Sequence, residues 1–307
     1  MKEHEIPRRT HAGHSIFQPI FQTRRKRSRT EDPLFGDDRG DLIVTSGQVG
    51  GARITTALLL AAGTGSRLQP LTKAAPKCLT EVNDISILER LVSNLREQGF
   101  TRLVIVVGHL GGQIREFLRH CASDMRIDYV VNSDYRTTNN LYSLWLARRQ
   151  IREPFLLVES DLIFQVELLE GMLYPDRMAI SRMLPWMNGT TVEIDSDQRV
   201  TAFRMGGGER RGARQYKTVN IYSLSMESWG KIEKVLGRYV AEGRLGEYYE
   251  AAFAELIADS TLSFDGVFFD TELWYEIDTG KDLVEAENLL AKNLPVVGLQ
   301  SLVSRRQ

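Results

Sequence analysis

From about Thr56 the apolar and polar positions fall into a regular alternation. Ala57 to Ala61 is a short apolar run that reads as a buried strand and stops at glycine. An amphipathic helix is expected near Ser86 to Gln98, and a second apolar strand over Arg102 to Val107 leads into the helical stretch GHLGGQIREFLRH. A strand over Ile127 to Val131, a helix over Asn140 to Arg149 and a buried strand over Pro154 to Phe164 follow. Strand and helix in turn is the rhythm of crossover units around a largely parallel sheet. Beyond Met178 the runs shorten to MAISRML, TVEIDSDQRVTAFRM and YKTVNIYSL, with a hairpin turn over Asp195 to Gln198 and a glycine- and arginine-rich loop over Met205 to Arg214. Helices near Met226 to Tyr239 and Glu247 to Ala258, then DLVEAENLLAKN, complete the pattern.

The preceding stretch lacks this order. RRKRSR at Arg24 to Arg29 lies among Pro, Gly, His, Ser and Thr, and Asp37 and Asp38 follow. Residues 1–55 therefore read as a flexible basic N-terminal extension, either a mobile tail or an arm that tethers, braces an oligomer or covers the site. Residues 56–307 carry the folded domain. With 307 residues and 42% hydrophobic content the chain can bury a large core. A net charge of -1, no aromatics interleaved in the basic tract and no apolar stretch approaching about 20 residues leave no reason to expect nucleic acid or membrane as partners. Cys78 and Cys121 are too few for a disulfide scaffold or a cysteine-rich zinc site, and a cytoplasmic location is expected. A homodimer is left open.

Chemistry concentrates first in LLLAAGTGSRLQPLTKAAPKCL, beginning at Leu58. Gly63 and Gly65 permit a tight turn whose N–H groups can converge on anionic oxygen, and Arg67 and Lys77 add positive charge. The segment has neither the GKS or GKT ending of a P-loop nor the GxGxxG of a dinucleotide fold. Ligands in open α/β sheets gather outside the carboxyl ends of strands, which singles out Asp161. Glu276 and Asp278 flank Ile277 with period-two spacing. Acid residues in such places hold a metal or form an ordinary salt bridge or helix cap, and an oxygen-only set suits magnesium. Lys217, inside an otherwise apolar strand, is expected to reach into a cleft. Trp186, Tyr216, Trp274 and Tyr275 can surround an ammonium or simply pack the core.

LAAGTGSRLQPLT followed by PKCL resembles the signature of nucleotidyltransferases that make activated sugars and phospho-alcohols from a nucleoside triphosphate. NNLYSLWLA at Asn139, SD at Ser160 and YEIDTGKDLVEAE at Tyr275 are similar to later landmarks of the branch containing bacterial choline-phosphate and 2-aminoethylphosphonate cytidylyltransferases. The resemblance implies a three-layer, Rossmann-like α/β fold with a mostly parallel central mixed sheet. It divides the domain into a nucleotide-binding part (about 56–177), an acceptor-binding part (about 178–275) and a C-terminal helix after 278. It also implies nucleotide contacts from Leu60, Ala61, Ala62, Gly63, Thr64, Gly65, Ser66, Arg67, Lys77, Asn139, Asn140 and Ser143. Asp161 and Asp278 would hold Mg2+ with Glu276 as helper, Arg67, Lys77, Asp161 and Lys217 would serve catalysis, and Trp186, Tyr216, Lys217 and Tyr275 would meet the acceptor. The expected reaction transfers CMP from CTP to a small phosphate- or phosphonate-bearing acceptor. A sugar-1-phosphate nucleotidyltransferase and a non-catalytic nucleotide-sensing module are the alternatives.

Overall fold

Every residue of the first strand, β1 (Thr56–Ala61), is buried, because the strand is covered on both faces. The computed structural model describes residues 52–184, 187–205, 215–271 and 273–293. After β1 come a short hairpin, β2 (Glu81–Val82) and β3 (Ile85–Ser86), and helix α1 (Ile87–Glu97). The Ser86 hydroxyl caps α1 by accepting the Glu89 N–H, and Leu88, Leu91, Val92 and Leu95 form its buried stripe. The chain continues through β4 (Arg102–Val107), α2 (Gly111–Cys121), β5 (Arg126–Val131) and α3 (Asn140–Ala147). Next are β6 (Phe155–Glu159), β7 (Leu162–Phe164), β8 (Arg177–Arg182), β9 (Thr191–Ile194), β10 (Val200–Arg204) and β11 (Gln215–Leu224). Helices α4 (Met226–Ala241) and α5 (Glu250–Ala258), strands β12 (Asp265–Phe268) and β13 (Trp274–Glu276), and helix α6 (Gly280–Asn293) follow.

Among the described residues the main sheet runs β10-β9-β11-β6-β1-β4-β5, with β8 on β11 and β12 on β8. The β6-β1-β4-β5 centre is parallel, and β11 joins it antiparallel. Successive β1 side chains go to opposite cores: Leu58 and Leu60 pack with residues of α3, α4 and α5, while Ala57, Leu59 and Ala61 pack with residues of α1 and α2. This is the expected three-layer α/β fold with its mostly parallel mixed sheet.

Two strand expectations change. Pro154 to Phe164 reads as one strand, but the chain leaves the main sheet after Glu159 and re-pairs as β7 with β13. The polar Ser160 and Asp161 interrupt the apolar run there. In β11, register shifts between Thr218 and Tyr222, where Asn220 adopts a left-handed φ of 61°.

Candidate active site

The chain runs outward from β1 to β4 and β5, then returns to lay β6 against the other side of β1. The carboxyl ends of β1 and β6 thus flank the point where the winding reverses, the usual ligand position in such a sheet. The glycine loop leaves one strand and Glu159-Ser160-Asp161 leaves the other, and both line a cleft of about 500 Å³. Gly65 has φ 60°, and a Cβ there would lie 3.0 Å from Lys77 Cβ and from Thr72 Cγ2. The loop is closed by Thr72 Oγ1, which donates to the Gly65 carbonyl at 2.8 Å. Glycine is needed for both the backbone angle and the fit.

The short β7–β13 ribbon brings the distant acids together. Leu162 pairs with Glu276, Ile163 with Tyr275 and Phe164 with Trp274, and the Ile277 N–H donates to the Asp161 carbonyl at 2.9 Å. Lys77 Nζ then lies 2.7 Å from Asp161 Oδ2 and 2.7 Å from Asp278 Oδ1, and Arg67 Nη2 donates to that same Asp278 oxygen at 2.8 Å. Burial draws the Lys77 pKa down, but Asp161 and Asp278 outweigh it and hold the ammonium above the ordinary lysine value. Asp161 Oδ1 is buried without a hydrogen-bond partner. That oxygen and the Asp278 carboxylate are hard oxygen donors, the type a divalent cation takes. No three His, Cys, Asp or Glu side chains form a metal-holding group among the described residues, so the expected set of Asp161, Glu276 and Asp278 is not assembled as one.

Glu276 lies instead beside Lys217. Lys217 is 3% exposed, with Nζ 3.2 Å from Glu276 Oε2 and 2.8 Å from the Thr218 carbonyl. Gly189, at φ 102°, leaves room for that ammonium, since a Cβ there would sit 3.3 Å from it. Burial raises the Glu276 pKa, opposed by Lys217 and reinforced by Asp161 and Asp278. Farther along the same wall are Glu159 from β6 and Glu250, the first residue of α5. Asn140 braces them: its Nδ2 donates to Glu159 Oε1 at 3.1 Å, and its Oδ1 accepts the Tyr249 N–H at 3.1 Å. Burial pushes Glu250 up to about 7, against the pull of a backbone hydrogen bond and of Lys217. Glu159 is raised by burial and then by the charges of Asp161 and Glu250.

Residues 57–174 match the MobA-like NTP transferase domain family. The likeness is to a nucleotidyltransferase domain and covers this stretch of the chain. Over 244 residues, 75% of this chain, it is 33% identical to a CMP-5'-(3-aminopropyl)phosphonate synthase of Streptomyces rubellomurinus. Over 109 residues, 36% of this chain, it is 31% identical to a choline-phosphate cytidylyltransferase of Streptococcus pneumoniae. The chain spans 38% and 46% of the lengths of these two relatives. Its fold matches the solved CTP:phosphocholine cytidylyltransferase of Streptococcus pneumoniae with a TM-score of 0.64 at 21% identity, covering 78% of this chain and all of the other.

Leu60, Ala61, Ala62, Gly63, Thr64, Gly65, Ser66, Arg67, Lys77, Asn139, Asn140, Ser143, Asp161, Lys217, Glu276 and Asp278 all line the one cleft. Two acceptor-side expectations do not hold in this form. Tyr275 lies on the other face of β13, buried with Leu68, Ile163 and Ile277, because strand alternation sends it away from Glu276. Tyr216 packs edge-on against Phe268, and neither tyrosine lines the cleft. Trp186 lies outside the described residues. Trp274 is core, its Nε1 donating to Ser181 Oγ at 3.1 Å. Asn140 is committed to bracing the protein, and Ser143 accepts from Asn132 Nδ2 at 3.0 Å. Asn220 and Glu250 were missed. Asparagine in mid-strand was a signal for the first, whereas an acid in the first turn of a helix needs no explanation beyond the helix dipole.

Proposed function

We propose that the protein is a cytidylyltransferase that transfers CMP from CTP to a small phosphate- or phosphonate-bearing acceptor of the choline phosphate or 2-aminoethylphosphonate type, releasing pyrophosphate. The observation that carries this reading is the meeting of the glycine loop, Lys77, Asp161 and Asp278 in one cleft at the reversal of the sheet. In this reading the part up to about residue 177 holds nucleotide, the part from about 178 to 275 holds acceptor, and residues 1–55 are an extension outside both.

An acceptor oxygen bonds to the α-phosphorus while the bond from that phosphorus to the pyrophosphate oxygen breaks. The acceptor oxygen is already ionised near neutral pH, so no strong general base is required. Asp161 and Asp278 would hold Mg2+, which when bound supplies Lewis-acid charge to phosphoryl oxygens. The glycine loop offers backbone N–H groups to the triphosphate, and Arg67 and Lys77 bring positive charge to the end where the leaving group develops its own. Lys217 places a cation on the acceptor side. Asn139 and Asn140 belong to the nucleotide wall, with Asn140 acting through its hold on Glu159.

Pyrophosphate release across CTP, UTP, ATP and GTP, each with phosphate, phosphonate and hexose 1-phosphate acceptors, tests the proposal. The highest kcat/KM is expected for CTP with an amine-bearing acceptor. Equal values for CTP and UTP, or faster turnover of a hexose 1-phosphate, would overturn it.

A further inference from the structure

Five carboxylates line the cleft, Glu159, Asp161, Glu250, Glu276 and Asp278, facing Arg67, Lys77 and Lys217. The three cations are already assigned. Arg67 and Lys77 pair with Asp278, Lys77 also with Asp161, and Lys217 with Glu276. Among the described residues Glu159 and Glu250 have no cationic partner within salt-bridge distance. Glu250 is 5% exposed, and its Oε2 is buried with no hydrogen-bond partner at all. A buried carboxylate oxygen in that state is costly until a donor reaches it.

Resting on the cytidylyltransferase reading, the geometry points to Glu250, with Glu159 beside it, as the seat for a primary ammonium at the far end of the acceptor. A primary ammonium carries three N–H donors and can hydrogen-bond the Glu250 carboxylate while neutralising the acid pair. A quaternary ammonium has no N–H and is held best by aromatic faces. Among the described residues only Tyr135 and Tyr248 bring aromatic rings to the cleft. Glu250, Lys217 and Asn220 line the same cleft, so phosphorus and ammonium ends would be read within it. Burial lifts the Glu250 pKa to about 7, with the Glu276 charge adding to it. The substrate class is therefore an aminoalkyl phosphonate or phosphate with a free amine, in preference to its trimethylated counterpart.

The test uses the full chain with saturating CTP and three acceptors: 2-aminoethylphosphonate, its N-trimethyl counterpart and ethylphosphonate. The unsubstituted protein is expected to favour the primary amine. Glu250→Gln should lower the kcat/KM ratio of 2-aminoethylphosphonate to ethylphosphonate by roughly thirtyfold, mainly through KM, the scale expected on losing a hydrogen bond to a charged group. Glu250→Asp should recover part of that ratio, which a merely structural role would not do. Without any substitution, ethylammonium should compete with the acceptor more strongly than tetramethylammonium does. An unchanged ratio in Glu250→Gln, or preference of the unsubstituted protein for the trimethylated acceptor, would overturn the seat while leaving cytidylyl transfer intact. Turnover of hexose 1-phosphates with none of the amines would instead remove the parent reading.

Discussion

The two ends of the cleft treat charge in opposite ways. At the glycine-loop end each ionised group has found another: Lys77 is held by two carboxylates, and Arg67 shares one of them. At the α5 end two acids face each other across an asparagine, and one buried oxygen has no partner. The first arrangement is paired in charge, although Asp161 Oδ1 there is also unpartnered, and it can exchange its internal pairs for a triphosphate and metal of comparable charge. The second holds two acids without a cationic partner among the described residues and is suited to something cationic with donors. Binding at the phosphate end would thus be general to the chemistry, whereas selection would reside where the carboxylates lack a cationic partner.

The comparison breaks most sharply at Asp161. Asp161→Asn is expected to lower kcat by about a thousandfold, because the orphaned Oδ1 and the charge that fit a metal are altered together. Near-normal kcat at saturating Mg2+ would remove this acid from the phosphate end. Lys77→Ala should cost about a hundredfold in kcat, the scale seen when one positioned charge-stabilising group is lost. Steady-state kinetics with CTP, together with a thermal melt to show that the fold survives, measure it.

A smaller effect should appear with pH at the other end. Glu250 accepts an ammonium when ionised, so the preference for 2-aminoethylphosphonate over ethylphosphonate should rise with pH through about 7 and level off above it. The gain is about tenfold from pH 6 to 8 for one ionisation, with the amine protonated throughout. Glu159, Glu276, Lys217, Tyr222 and Tyr249 are the ionisable groups electrostatically linked to Glu250. Taking the ratio of two phosphonates cancels titration at the phosphorus end, and a flat ratio would detach Glu250 from amine binding. The smallest kinetic effect belongs to Tyr275→Ala. Loss of this core ring should destabilise the fold by about 3 kcal/mol in urea unfolding, yet leave acceptor KM within about twofold. A large, selective rise in that KM would return Tyr275 to the acceptor side.

Much of this was legible because local pattern and global position agree. The apolar runs at Thr56–Ala61 and Arg102–Val107 are central parallel strands, buried on both faces, and their burial is written directly into composition. Asp161 could be found from its place at a strand end. The change of partner sheet after Glu159 was hidden, since an apolar stretch reads the same whichever strand it pairs with. Tyr275 was misread because aromatic character does not reveal which face of a three-residue strand it occupies. Glu250 was hidden by an ordinary helical context: its significance comes from what surrounds it in space, and Lys217, Glu159 and Asn140 are far away in sequence.

The β7–β13 pairing also orders events in time. Lys77 and Asp278 are 201 residues apart, yet this two-stranded ribbon helps set the second acid beside the first. During synthesis the glycine loop, Lys77 and Asp161 leave the ribosome well before β13 does. A nascent chain can therefore build its central parallel strands early while its pair of acids stays incomplete. Metal-dependent affinity for the triphosphate would be acquired only after β13 has been made, making nucleotide binding a marker that the ribbon has formed.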